Sequence, residues 1–214
     1  ITFASNLATG DVIDFIMLLG NVLDLGTPSD NTVSLAKLTA TGTKDATTFL
    51  RGDNSFAVPS GGKIGQVVQT VKTDLFTSTT ASLTDVTGFS VSITPTATSS
   101  KVLVMAQYTM GCTSGYKLYA SLLRGSTEIY RGDASGNRVR RSSGGKTNAN
   151  DDARNFNNIF LDSPNTTSAT TYKIQAYPES GGTLHLNSTI NGVANDQAID
   201  MRTASSITVM EVLA

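Results

Sequence analysis

Four cations fall within nine residues of one stretch, "RVRRSSGGK", as Arg138, Arg140, Arg141 and Lys146. Guanidinium forks match the paired oxygens of phosphates and carboxylates, so such a cluster could hold phosphates or acidic sugars. It sits inside "GDASGNRVRRSSGGKTNANDDARN", residues 132–155, the longest stretch without a strand pattern. Loops of that length inside a compact domain are usually functional or disordered. Two readings fit. Either the loop is solvated, with its charges balanced by Asp151 and Asp152, or it carries a binding surface. A second turn-rich stretch, residues 191–198, offers the side-chain amides of Asn191 and Asn195 to the same kind of surface.

The tripeptide Arg-Gly-Asp occurs twice, as Arg51, Gly52 and Asp53 in "TFLRGDNSFA" and as Arg131 to Asp133 in "YRGDASG". An adhesion ligand would need an exposed, extended tripeptide. Turn chemistry explains the text more simply. Gly52 permits a positive φ, Asp53 and Asn54 bond back to their own backbone, and Leu50 and Phe56 pin the ends. The same reading serves the second copy.

Catalysis has little to build on. His185 lies between Leu184 and Leu186 with no nucleophile or orienting acid at a telling distance in sequence. Cys112 lacks a basic neighbour to lower its pKa. Asp133, Ser135 and Asn137 start like a calcium loop, but Gly144 stands where the closing carboxylate belongs. Asp151, Asp152, Asp162 and Glu179 could cut a polysaccharide only if paired across a groove. Asn165 and Asn187 open glycosylation-type triplets, which turn-rich Asn/Thr text produces by chance. Tyr116, Tyr119, Tyr130, Tyr172 and Tyr177 could stack on sugar faces, although their alternation suits core or subunit contacts. The expectation is therefore no catalytic residue, no metal ligand and no cofactor.

These residues need a scaffold, and the text supplies short strands. "VTGFSVSITP" alternates Phe89, Val91 and Ile93 against Ser90, Ser92 and Thr94, and "KVLVMAQYTM" is apolar on both faces, as in a central strand. "YKLYASLLR", "TEIYR", "NNIFLD", "TYKIQAY", "GTLHLNS" and "SSITVMEVL" follow, separated by Gly, Asn, Ser, Asp or Pro. Short strands with regular turn signals predict an all-β antiparallel sandwich or jelly roll over residues 63–214. Residues 1–26 read as a small β segment, "ITFAS" and "VIDFIMLL" around a turn, with helix an alternative over 11–25. Residues 27–62 are a thin, turn-rich connector ending at "VPSGG".

Composition agrees. Only 15% of the 214 residues are charged, Trp is absent and the formal net charge is -1, which is a hydroxyl-rich β profile. Nothing in that balance favours nucleic acid or an anionic membrane. The apolar run from Val12 to Leu19 is short and contains Asp14, so neither a signal peptide nor a membrane span is expected. Ile1 reads as the middle of a strand, which predicts a segment upstream. One cysteine leaves packing or oligomerisation to hold the fold.

The segment "TKDATTFLRGDNSFA" resembles a junction motif of tail-fibre proteins of tailed bacteriophages, with Phe56 where many relatives carry Trp. "ITFASNLATGDVIDFI" is similar to a strand pair of marine phage fibres, and "ITPTATSSKVLVMAQY", "LLRGSTEIYRGD", "FLDSPNTTSATTYKIQAY" and "ITVMEVLA" to their jelly-roll tip. The resemblance implies a homotrimer with a tumour-necrosis-factor-like tip, located in the virion tail fibre beside other tail proteins. It also implies binding of a bacterial surface glycan or protein. A trimer would supply burial that the thin segment 27–59 cannot supply alone. Purely architectural fibre, capsule depolymerase fragment and monomeric carbohydrate-binding module are the alternatives.

Overall fold

The computed structural model describes residues 8–10, 12, 34–37, 39–59, 62–194, 198 and 200–213. The amino-terminal strand pair or helix falls, Val12 apart from it, on residues outside this set. The chain divides into two units, Ile1–Ser60 and Gly61–Ala214.

In the first unit a 3-10 turn spans Leu35–Lys37. Strands β1 (Phe49–Leu50) and β2 (Phe56–Ala57) pair antiparallel. The first Arg-Gly-Asp lies in the turn between them. Arg51 N–H donates to Ser55 O at 2.8 Å, and the Asp53 carboxylate accepts from the Ser55 hydroxyl at 2.6 Å. The left-handed residue is Asn54, at φ 59°, and not Gly52. Asn tolerates that region because its short amide bonds locally. The glycine that the hairpin cannot lose is Gly42, at φ 88°, where an added Cβ would stand 2.2 Å from Phe56 O. Gly42→Ala should therefore break the Phe56 N–H to Thr41 O bond, seen as loss of Phe56 amide protection from exchange. Gly52→Ala, with nothing near its Cβ, should leave that amide unchanged.

The second unit runs β3 (Ile64–Lys72), β4 (Phe76–Ser78), β5 (Thr84–Ile93), β6 (Lys101–Cys112), β7 (Lys117–Arg124), β8 (Thr127–Ile129), β9 (Ser143–Lys146), β10 (Ala153–Asp162), β11 (Thr170–Pro178), β12 (Leu184–Leu186), α1 (Asn191–Ala194) and β13 (Ser205–Val212). One sheet has the order β3-β13-β6-β12-β4, with β10 on the far side of β6. The other has β5-β11-β7-β8, with β9 also on β7. The chain passes from sheet to sheet at β4 to β5, β5 to β6, β6 to β7, β9 to β10, β10 to β11 and β11 to β12. All pairs between these strands are antiparallel. The fold is an antiparallel β-sandwich with jelly-roll winding.

Alternation decides what lies inside. Val102, Val104, Ala106, Tyr108 and Met110 of β6 face Val86, Phe89 and Val91 of β5, Leu118 and Leu122 of β7 and Tyr172 and Ile174 of β11, all buried. Each large side chain so buried contributes ~1.5–3 kcal/mol. Tyr108 is the hub, edge-on to Phe89 at 6.1 Å and stacked with Phe156 at 5.7 Å. Its hydroxyl accepts from Asn158 Nδ2 at 2.9 Å, so the buried oxygen is satisfied. Burial pushes the Tyr108 phenol up to about 12 despite bonds to Ser143 and Asn158.

Glu211 on β13 is fully buried. Its carboxylate accepts from the Thr96 N–H and hydroxyl, each at 2.6 Å, and from Gln66 Nε2 at 3.1 Å. It ties the β5–β6 link to β3. Burial alone would raise this carboxyl, but the Thr96 and Gln66 donors outweigh it and hold the group below its ordinary 4.5. A depressed folded pKa means the stabilisation is complete above the unfolded value and fades as pH falls through the folded one. The urea midpoint should therefore drop more steeply below pH 4.5 in the native chain than in Glu211→Gln, which cannot titrate.

Candidate functional site

The first sheet keeps an unusual outer face. Strand register lines up four outward side chains in each of three rows. The first row, Val67–Met210–Leu103–Leu161, is apolar across all four strands. The second reads Gln69–Thr208–Met105–Ile159. The third reads Val71–Ser206–Gln107–Asn157. Val67 and Val71 are each 55% exposed, Ile159 61% and Leu161 45%. The face thus grades from apolar to amide-rich, and Gln69 Nε2 donates to Thr208 Oγ1 at 2.7 Å within it. A cavity of about 320 Å³ opens among Gln69, Met105, Gln107, Asn157, Ile159 and Thr208. Among the described residues of these rows there is no aromatic ring, so the face offers no stacking platform for a sugar.

Sequence reasoning gave β6 two buried faces. Only its even residues are core, while Leu103 and Met105 look outward and stay half-exposed. The double-faced apolar text was the signal for this outer face, and it was read as depth in the sandwich. β3 gave no signal because its inward positions include Gln66 and Thr70 while Val67 and Val71 point out.

The outer face of the second sheet differs in kind. Lys173 pairs with Asp85 at 2.8 Å and Lys117 with Glu179 at 3.3 Å. Tyr119 and Tyr177 stack at 4.9 Å, and the Arg141 guanidinium lies over Tyr177 at 5.4 Å. The loop expected over residues 132–155 is interrupted by β9, whose "SGGK" holds no good β-former and is stitched to β7 through its backbone. Lys146 therefore sits on a strand opposite Lys117, apart from the arginines. Arg138 binds Ser135 Oγ at 2.6 Å and Arg140 binds Gly132 O at 2.7 Å.

Asp151 and Asp152 do not balance these arginines. Asp152 accepts the Asn148 and Ala149 N–H groups, and Asp151 takes the Asn191 amide. The partner of Arg141 is Glu128, at 3.5 Å. Asn195 lies outside the described residues, and Asn191 starts α1. The second Arg-Gly-Asp closes no hairpin. Its left-handed residue is Tyr130, at φ 51°, and Arg131 and Gly132 line a cavity of about 350 Å³ with Tyr130, Arg141 and Ser142.

Other sequence candidates are held by the fold. Asp162 binds Arg124 and the Tyr172 hydroxyl. His185 Nδ1 meets Thr189 O at 3.0 Å. Asn187 is fully buried and bonded to Lys72 O, Asp74 O and Ser205, which leaves no amide for a glycan. Tyr172 and Tyr177 are buried, while Tyr130 is exposed. Cys112 is buried, its thiol pushed up to about 11 chiefly by desolvation. Among the described residues no three His, Cys, Asp or Glu side chains stand together as a metal site. No described helix is long and apolar enough to cross a membrane.

No protein-family model matches the chain, and no curated protein does. Solved structures of infectious bursal disease virus do. The Gx strain structure is 16% identical, with a TM-score of 0.38 over 74% of this chain and 39% of that one. The Gt strain structure is 15% identical, with a TM-score of 0.38 over 88% and 47%. The VP2 subviral particle is 17% identical, with a TM-score of 0.32 over 74% and 44%. This chain spans less than half the length of each. At such scores the backbones diverge too far for a role to pass between them.

Proposed function

We propose that this chain is a structural and binding protein of a virion, a tail-fibre segment whose jelly-roll unit forms a homotrimer and attaches to a bacterial surface glycan or protein. The observation that carries the reading is the first sheet's graded outer face. A sandwich that has already filled its core gains nothing by exposing a four-strand apolar row, whereas a second copy of the same face removes it from water. The number three comes from the likeness of the junction and tip motifs to trimeric phage fibres. Loops at the other sheet remain open for attachment, and three copies would convert weak contacts into avidity.

Adsorption tests the attachment. Labelled full chain should bind cells of a host susceptible to the virus and block infection in proportion to occupancy. A chain that forms the oligomer yet neither binds nor blocks would make it an architectural fibre. Release of reducing sugar from capsule by the pure protein would instead make it a depolymerase.

A further inference from the structure

We infer that the cavity between Tyr130–Gly132 and Arg141–Ser142 is a subsite for one carboxylate-bearing sugar, of the uronic acid class. The inference rests on the glycan-attachment reading and narrows it to a charge type and a place. At about 350 Å³ the cavity lies at the small end of ligand sites, which run ~300–1,000 Å³. One ring fits it better than a chain of rings.

Its electrostatics select a single negative charge. Arg131 and Arg141 line it, and Arg131 forms no ion pair among the described residues. Glu128 lies against Arg141, Arg140 Nε holds Gly132 O at 2.7 Å and Asp133 follows Gly132 in the chain, so three cations and two carboxylates leave one net positive charge. That balance suits a carboxylate better than a phosphate dianion. Arg141 is also held before any ligand arrives, by Tyr177 beneath it and by Arg140 O at 2.6 Å. Its Nε–H is buried and finds no acceptor in the protein. A buried donor left unpaired is costly, so the hydrogen bonding of Arg141 is incomplete in the free chain.

The remaining walls suit a sugar. Tyr130 packs on Phe160 at 5.4 Å and stays exposed, so its ring offers a fixed apolar surface and a hydroxyl. Ser142 Oγ is fixed by Leu122 N–H at 2.9 Å and Ile129 O at 3.3 Å. Tyr130 keeps a positive φ that a bulky residue resists, the kind of local strain that collects at binding sites.

Calorimetry and saturation-transfer NMR on the full chain would compare methyl glucuronide, methyl glucoside and glucose 6-phosphate. The glucuronide should bind in the millimolar range. The glucoside should bind at least tenfold more weakly, and the phosphate should show no advantage. Arg131→Gln, on an exposed residue that cannot unfold the sandwich, and Arg141→Lys, which keeps charge but loses the fork, should each weaken glucuronide binding at least fivefold. Equal affinity for glucoside and glucuronide, preference for the phosphate, or indifference to both variants would overturn the subsite. Cell adsorption separates the two claims. Adsorption that survives Arg131→Gln with Arg141→Lys would sink the subsite and keep the attachment reading. Glucuronide binding without adsorption to any host would do the reverse.

Discussion

Val67→Glu combined with Ile159→Glu is expected to reduce the proposed trimer to single chains of 22.4 kDa while leaving the sandwich folded. Both side chains are more than half exposed within one chain. Their replacement therefore costs the isolated fold little, about 0.5 kcal/mol or less at each site. In the proposed trimer each carboxylate would be desolvated against an apolar row. An uncompensated buried charge costs ~3–5 kcal/mol, and the cost recurs in every copy. Ser90→Glu, on an exposed position of β5 facing outward from the other sheet, should leave the mass unchanged. If the double variant keeps the native mass, the graded face is not the contact. If it loses its circular dichroism, single variants at Leu161 or Val71 would replace it.

Asp162→Ala should be strongly destabilising in the jelly-roll unit. Asp162 sits on β10 of the first sheet and binds residues of the second, Arg124 Nη1 at 2.9 Å and the Tyr172 hydroxyl at 2.7 Å. The ion pair itself is discounted, because the Arg124 side chain is about a third exposed and screened by water. The larger cost is the Tyr172 hydroxyl, fully buried and left without its acceptor. We expect a loss of about 2–4 kcal/mol in urea unfolding at neutral pH. Asp162→Asn, which retains an acceptor oxygen, should recover about half. Burial, followed by the bond to Asp162, holds the Tyr172 phenol above the ordinary range. In Asp162→Ala that phenol should ionise at lower pH than in the native chain, visible by ultraviolet titration. Equal stability of the alanine and native chains would show that the two sheets are not held at this point.

Much of the architecture was legible because it depends on alternation alone. Phe89, Val91 and Ile93 of β5, the even residues of β6 and Tyr172, Ile174 and Ala176 of β11 all point inward as their period requires. β9 was illegible, since Ser143, Gly144, Gly145 and Lys146 pair through backbone that any residue can supply. β3 was illegible because its outward valines and inward Gln66 and Thr70 invert the expected pattern. The candidate sites were legible only in fragments. The arginine cluster named Arg141, yet nothing in spacing could place Glu128, Tyr130 or Tyr177 around it, as these arrive from β8, its end and β11. The outer face was present in the text as surplus valine, leucine and methionine, but one sequence cannot tell a second core layer from an exposed one. Only register across four strands makes the row visible.

The central claim is that the outer face of the first sheet is covered by copies of the same chain. Light scattering on the purified chain at two concentrations tests it most directly. The account predicts a mass near three times 22.4 kDa that does not fall on dilution. A mass of one chain at both concentrations would contradict it, and the apolar row would then need another partner.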